Sequence, residues 1–380
     1  MEKKVVRAIK FEMRLKGQGI VNFDSSDQKY ILNKYCGMRI SNDNNKLSKK
    51  AFFDDGEDEN GNPRYTYKVK IANSCLRHAI FEDDLCVNSP LMIKHMPLLK
   101  KFMLSNIGIG RGYMFTLPKR SGDTDKDGGE DGSDAKKNNG LSLKKDSALV
   151  IVDAVQDNDS VVYNEVGSVS GFKTDNTFFC KDSVTEMSYK TSGVICLNKM
   201  EFLSGDPIFD RMAYVSDENA NDTFLKEYEE ERRKSGVSTD EPDFKEGYYT
   251  NMNNVFGNTF PEKGIYVSDS KMMEIIRYLL RRLLNLKIYR TSGYVENVEM
   301  RIKLISDLND QLNGEWLTIT NEDDIKRLDF IPRRTYFEVD ESEGIRHHEE
   351  YMARYDSEMS NCKEKKKNNA TKKKKAKTEE

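Results

Sequence analysis

The residues that could carry chemistry in this chain are few and scattered. Six cysteines (Cys36, Cys75, Cys86, Cys180, Cys196 and Cys362) occur singly, with no CxxC pair. That pattern argues for reduced thiols rather than a disulfide frame or a zinc knuckle. There are four histidines. His78 has no second histidine or cysteine at ligand spacing, and His347 and His348 sit in a charge-dense stretch, so no metal site is expected. The acidic pairs Asp54–Asp55, Asp83–Asp84 and Asp323–Asp324 lack a neighbouring histidine and read as solvated faces. Walker A, GxSxG and HExxH motifs are absent. GIGRG (108–112) lacks the spacing and the following helix that hold a pyrophosphate. The expectation is a protein that is not an enzyme and takes no cofactor.

Three features suit binding instead. KIANSCLRHAI (70–80) puts Asn73, Ser74 and free backbone N–H groups at the start of a helix, with Arg77 and His78 one turn on. Such donors suit a phosphate, though the same residues also make an ordinary N-cap with a surface arginine. RGYMFTLPKR (111–120) echoes the ribonucleoprotein pattern of RRM domains at Arg111, Gly112, Tyr113 and Phe115, and Met114 breaks it. A core strand with basic flanks fits these residues equally. Segment 163–190 interleaves Tyr163, Phe172, Phe178, Phe179 and Tyr189 with Lys173, Lys181 and Lys190. Rings and amines in alternation are what base stacking and backbone tracking require. A hairpin that docks on a partner subunit is the competing reading, and the two can coexist.

Positioning these residues falls to elements that periodicity outlines. Residues 5–23 alternate as a strand ending in Gly17 and Gly19, and 42–64 form a polar loop. TYKVKIA (66–72) is a strand running into a helix from Ser74. A second helix is expected at 90–105, stopping at Asn106 and Gly108, and a strand at 108–122. Residues 147–155 read as a buried strand, 156–192 as a long exposed hairpin and 193–202 as a returning strand. Segment 217–248 is a charged helix with a loop. KGIYVSD (263–269) is a strand with Ser268 and Asp269 as candidate caps. Behind it, the helix 271–287 carries the stripe Met272, Ile275/Ile276, Leu279 and Leu283. Residues 295–305 close as a strand. Strand-helix-strand units of this order suggest an α+β, ferredoxin-like core with large insertions.

Composition fits a core with solvated additions. Of 380 residues 37% are apolar and 33% charged, below the ~45–50% apolar content usual for a compact domain. No run of 18 apolar residues occurs, so a membrane-spanning helix is not expected. The opening MEKKVVRAIKFEMRLK lacks a secretory apolar stretch, so the expected location is cytoplasmic. The net charge of −3 hides a segregation. Segment 121–134 carries −5, segment 217–246 carries −6 and the lysine-rich 363–380 carries +6, leaving a mildly basic body of +2. The overall balance therefore excludes no polyanion partner.

Five spaced segments carry a resemblance: FEMRLKGQGIVNFD (11–24), VKIANSCLRHAIF (69–81), GRGYMFTLPKRSG (110–122), residues 175–213, and NVFGNTFPEKGIYVSD through to MRIKL (254–304). In this order they are similar to the backbone subunit of type I CRISPR surveillance (Cascade) complexes, in particular the compact type I-F variant systems. The resemblance implies an RRM-like palm, an inserted finger region and a protruding β-hairpin thumb. It also implies a non-enzymatic subunit that polymerises along guide RNA and presents the spacer for pairing with target DNA. The implied partners are CRISPR RNA, the target DNA strand through the heteroduplex, neighbouring copies of itself and other Cascade subunits, with no membrane. The implied RNA-binding residues are Gln18, Asn22, Asn73, Ser74, Arg77, His78, Arg111, Tyr113, Lys119, Arg120, Phe178, Phe179, Lys181 and Asn254.

The implied division begins with a palm half at 1–120 with a finger loop at 42–64, and an acidic disordered insertion at 121–140. Central strands and thumb follow at 141–214, with the thumb at 156–192, then an acidic helical insertion at 215–250. The second palm half at 251–305, an extension at 306–340 and a disordered tail at 341–380 complete it. Two other classes stay in view. One is a type III-like backbone subunit cutting target RNA with a metal and an acid such as Asp24 or Asp54–Asp55. The other is a protein-only assembly subunit.

Overall fold

The computed structural model describes residues 3–19, 21, 50–57, 63–82, 95–117, 142–157, 162–168, 178–184, 186–205, 212–215, 223–236, 241–251, 261–290 and 293–342, with 344–346, 349, 350 and 353. In chain order the elements begin with β1 (Val5–Val6), β2 (Ala8–Gly19), β3 (Lys50–Glu57), β4 (Pro63–Ile71), α1 (Asn73–Phe81), α2 (Met96–Met103) and α3 (Asn106–Arg111). Then come β5 (Tyr113–Thr116), β6 (Ser142–Lys145), β7 (Leu149–Ile151), β8 (Ala154–Gln156), β9 (Val162–Ser168), β10 (Phe178–Val184), β11 (Glu186–Cys196) and β12 (Phe202–Ser204). After α4 (Thr223–Lys234), β13 (Phe244–Asn251) and β14 (Glu262–Val267) follows the long α5 (Asp269–Leu284). The last are β15 (Lys287–Arg290), β16 (Gly293–Ile305), α6 (Leu308–Asn313), β17 (Leu317–Ile319), α7 (Glu322–Lys326), β18 (Ile331–Pro332) and β19 (Tyr336–Glu338).

Helices and mainly antiparallel sheets mix as α+β, in two compact units. The first comprises Met1–Val87, Ala148–Leu197 and Met273–Arg333. Its sheet runs β15-β16-β2-β11-β8-β4-β3, with β17 on β16 and β7 on β11. Strand β2 lies at the centre, antiparallel to β11 on one side and to β16 on the other. Alternation on β2 buries Ile9, Phe11, Met13 and Leu15 and leaves Arg14, Lys16 and Gln18 exposed, as a sheet wet on one face demands. The core is completed by Leu76, Ile80 and Phe81 of α1 and by Ile275, Ile276, Leu279, Leu280 and Leu283 of α5, every one at 0 or 1% exposure. Each fully buried side chain of this kind contributes about 1.5–3 kcal/mol. Arg282 on α5 donates to the Ile80 carbonyl at 2.6 Å, tying the two helices together.

The second unit comprises Asn88–Ser147, Asn198–Met272 and Arg334–Glu380. It holds the four-stranded sheet β12-β14-β13-β19 and the β5–β6 pair. Glu201, fully buried, accepts from the Thr335 and Tyr336 amides at 2.8 Å, pinning the start of β19. Among the described residues no helix is long and apolar enough to cross a membrane.

Several expected elements are corrected. The polar loop placed at 42–64 contains β3, which pairs with β4 from Lys50↔Val69 to Glu57↔Pro63; the polar flanks hid the strand-forming Phe52–Phe53. The strand expected to start at 108 begins only at Tyr113, because GIGR closes α3. Ser105 caps that helix by accepting from the Gly108 amide at 3.0 Å, and Gly112, at φ +76°, ends it. The hairpin expected over 156–192 is shorter: β9 and β10 pair from Val162↔Val184 to Ser168↔Phe178, and residues from Glu186 onward belong to the large sheet. The acidic insertion expected to run to 250 ends earlier, since β13 from Phe244 pairs with β14. The segments 121–140 and 363–380 lie outside the described residues.

One glycine fixes how closely the central strands pack. A Cβ on Gly193 of β11 would overlap the Val150 carbonyl and the Phe11 ring. Gly193→Ala is therefore expected to destabilise the protein by about 1–3 kcal/mol, the usual cost of overpacking. A lower urea midpoint at unchanged denaturant slope is the readout; an unchanged midpoint would contradict this packing.

Candidate nucleic-acid interface

The wet face of the large sheet is a ladder of charges set by strand register. Glu299, Arg14 and Lys190 pair across β16, β2 and β11, and Val155 and Lys70 continue the row on β8 and β4. The rows on either side read Arg301–Glu12–Ser192 and Glu296–Lys16–Ser188, and the end row reads Tyr294–Gln18–Glu186. Glu12, Arg14, Asp153, Lys190, Glu299 and Arg301 line a groove of about 550 Å³ on this face.

Every base at the centre of this groove is already matched by an acid. Asp157 accepts from Arg14 at 3.2 Å and faces Lys190 at 3.3 Å. Arg301 donates to Glu12 through Nη2 at 2.6 Å and Nε at 2.9 Å. Asp153 accepts from Lys70 at 2.8 Å. Burial alone would raise the Asp157 carboxyl, but hydrogen bonds from Ser188, Lys190 and Arg14 outweigh it and hold the group below the ordinary carboxyl range. Asp153 is lowered in the same way, with Lys70 and the Asn73 amide outweighing burial. The bases Arg14, Lys190 and Arg301 reach water, and a solvent-exposed ion pair contributes only about 0–1 kcal/mol; the Asp157 carboxylate itself is 9% exposed and Lys70–Asp153 is part-buried. Those three bases stay open to another anion.

The start of α1 differs from the expected one. Its cap position is Ala72, whose side chain cannot accept a hydrogen bond. The Asn73 amide instead donates to Asp153 Oδ1 at 2.8 Å. A carboxylate from the β7–β8 turn thus occupies the anion seat that the sequence offered to a phosphate. Asn73, Ser74 and His78 are exposed, and Arg77 is half-buried. His78 sits 3.8 Å from Glu82. These residues project from a helix that packs on the buried face of the sheet, so they do not converge with Gln18, which stands exposed on the wet face. Asp153 is the link between them, since it both caps α1 and lines the groove.

Tyr113 is a correction. Its ring is 8% exposed and stacks on Phe115 at 5.4 Å, and its hydroxyl donates to the Ala213 carbonyl at 2.6 Å. Burial pushes that hydroxyl far above the ordinary phenol value. The pattern residue is core, not a base platform, because strand β5 turns Tyr113 and Phe115 inward and Met114 out. Tyr189, expected among the exposed rings, is fully buried on β11. Arg111 closes α3, half-buried. Phe178, Phe179 and Lys181 fall on β10 by backbone, and their side chains lie outside the description. Asn22, Lys119, Arg120 and Asn254 lie outside the described residues.

The sequence reading passed over the β15–β16 hairpin. Tyr289 and Tyr294 pair across it with rings 6.5 Å apart, 54% and 44% exposed. The signal was present as KIYRTSGY (287–294), rings interleaved with bases, but it was absorbed into the end of a predicted helix and the gap after it.

The Asp157 contacts predict a pH dependence. A carboxylate held low stabilises the fold above about pH 4, its ordinary value. That contribution is lost as pH falls through the depressed folded value. In urea titrations, the stability gap between wild type and Asp157→Asn should therefore be widest near neutrality and close as pH drops below about 4. A gap that holds or widens in acid would refute the assignment of these contacts.

Comparison with known proteins bears on most of this unit. Residues 5–313, most of the chain, match a family model described as "Type I-Fv CRISPR-associated protein Cas7fv-like". No curated protein matches the chain. The matched span takes in the central sheet, both helices that cover it, and the hairpins β9–β10 and β15–β16. The chain belongs to the Cas7fv-like family of type I-Fv CRISPR-associated proteins.

Proposed function

We propose that this protein binds the backbone of guide CRISPR RNA as a repeated, non-enzymatic subunit of a type I Cascade effector. In that role it presents the spacer for pairing with target DNA in antiviral defence, within the cytoplasm. The observation that carries the reading is the family match across residues 5–313. The topology supports it. Strand β2, helix α1, strands β7–β8, strand β11, helix α5 and strand β16 follow in a β-α-β-β-α-β order, with the sheet arranged β16-β2-β11-β8. That is a ferredoxin-like arrangement, read here as the RRM-like palm. The β3–β4 pair at the sheet's edge is read as the finger, and β9–β10 as the thumb. The partners in this reading are guide RNA, the target strand, neighbouring copies and other Cascade subunits.

The groove chemistry supports a backbone ligand rather than base readout. Arg14, Lys190 and Lys70 are held in one row by strand register, with Arg301 in the next row, and all four are neutralised by carboxylates. Phosphates displacing those carboxylates would meet cations already in place, and phosphate contacts do not read sequence.

The protein purified with its cognate guide expressed is expected to carry RNA, seen as a raised ratio of absorbance at 260 to 280 nm, in protected lengths that repeat with the subunit footprint. Nucleic-acid-free protein from such cells would sink the proposal. Affinity for single strands should fall with salt at a logarithmic slope of about −0.7 per phosphate neutralised. Lys190→Ala, in the groove, should weaken binding to all sequences alike; a loss confined to some sequences would count against a phosphate contact there.

A further inference from the structure

At the hairpin β15–β16 the register sends Ile288 and Val295 into the core and turns Tyr289 and Tyr294 out beside Gln18. Among the residues of the first unit whose side-chain burial the structure describes, these two are the Phe, Tyr and Trp rings in the exposed class. Their planes meet at 41°. The Tyr289 hydroxyl donates to Glu296, which fixes that ring without covering it. Lys287 sits 5.9 Å from the ring centre, and Arg290 donates to the Tyr289 carbonyl at 3.2 Å. Beside them, where β15 passes the end of α1, opens a cleft of about 330 Å³ whose lining includes Glu82, Arg282, Lys287, Tyr289 and Arg290. Three of its eight lining residues are cationic. A cross-strand aromatic pair by itself stabilises a hairpin, but that role asks for neither the cations nor the cleft.

We propose that this hairpin seats one unpaired base of a single-stranded RNA, with Tyr289 and Tyr294 as the stacking platform and Lys287 and Arg290 on the flanking phosphates. The inference rests on the RNA-binding reading above and names a site within it. Stacking needs only a π-face, so the seat accepts any base. Glu82 and Glu296 bar a phosphate from the inner side and so direct the backbone along the Lys287–Arg290 edge. The seat lies in the row of Gln18, which gives that residue a ligand on the wet face of the sheet.

The test uses the full chain and a single-stranded guide RNA carrying 2-aminopurine at successive positions. Wild type and Y289F/Y294F are expected to quench the probe at one position per subunit. Y289L/Y294L, confirmed as folded by an unchanged circular dichroism spectrum and a cooperative urea transition, should lose the quenching and bind about tenfold or more weakly, the range for one lost base stack. Equal quenching and affinity in all three proteins would overturn the seat while leaving RNA binding intact. Loss in the phenylalanine variant as large as in the leucine variant would overturn stacking as its basis. Wild-type protein that binds no RNA would overturn both this inference and the reading beneath it.

Discussion

The constraint on which the rest depends is the double pairing of β2. This strand hydrogen-bonds along nearly its whole length to two partners far away in sequence, β11 and β16. Side chains alternate between faces with a period of two, so a slip of one residue on either side would exchange the core set for the charged set. The alternation of β2 itself opposes such a slip. Close approaches between the strands add a second constraint. A Cβ at Gly17 would run into the Tyr294 backbone, and one at Gly193 into Val150 and Phe11. The two glycines therefore allow the strands to sit close only where small residues meet. The bulge between Asn297 and Glu299 takes up the remaining mismatch with β16.

Once that register is set, the wet face follows without further design. Arg14 meets Lys190 and Glu299, Glu12 meets Arg301, and Gln18 meets Tyr294 because they are opposed on neighbouring strands. Two lysines or arginines placed opposite each other would repel. Arg14 and Lys190 are such a pair, and Asp157, arriving at the end of β8, accepts from one and faces the other. The acidic partner is therefore a requirement of the basic row, and its location is dictated by where the next strand ends.

This explains what was legible beforehand. Strands β2, β14 and β16 and helix α5 announce themselves by local periodicity, and the stripe Met272, Ile275, Ile276, Leu279 and Leu283 is buried as its spacing indicates. Ser268 caps α5 through the Lys271 amide at 3.2 Å, a cap readable from the dipeptide Ser268–Asp269. What was not legible depends on distant partners. The cap of α1 comes from Asp153, eighty residues on, so Asn73 and Ser74 looked like the capping pair when neither side chain does that work. Tyr113 matched a binding pattern, but whether a ring on an alternating strand faces solvent is decided by what packs against the strand. Tyr289 and Tyr294 went unnoticed for the converse reason: their exposure comes from an edge hairpin, and its turn signal, Ser292–Gly293, fell in the gap between the predicted helix and the predicted strand.

Charge distribution separates the groups that can exchange a ligand from those that cannot. In the second unit Asp243 is fully buried, bonded to Arg232 and 4.0 Å from Lys271, with the Tyr228 hydroxyl donating to it at 3.4 Å. Removing one member of such a set leaves a buried charge without compensation, at a cost of about 3–5 kcal/mol, so these ions serve the fold. The groove carboxylates of the first unit pair with cations that reach water: the side chains of Arg14, Lys190 and Arg301 are 43%, 67% and 48% exposed. Their carboxylate partners are less exposed, Glu12 at 30% and Asp157 at 9%, but the cations themselves stay open to an anion from solvent, and a polyanion brings many phosphates at once with the release of its own counterions. In the RNA-binding role proposed above, phosphates would take the place of those carboxylates; in the protein alone the same acids keep a row of like charges from straining the sheet.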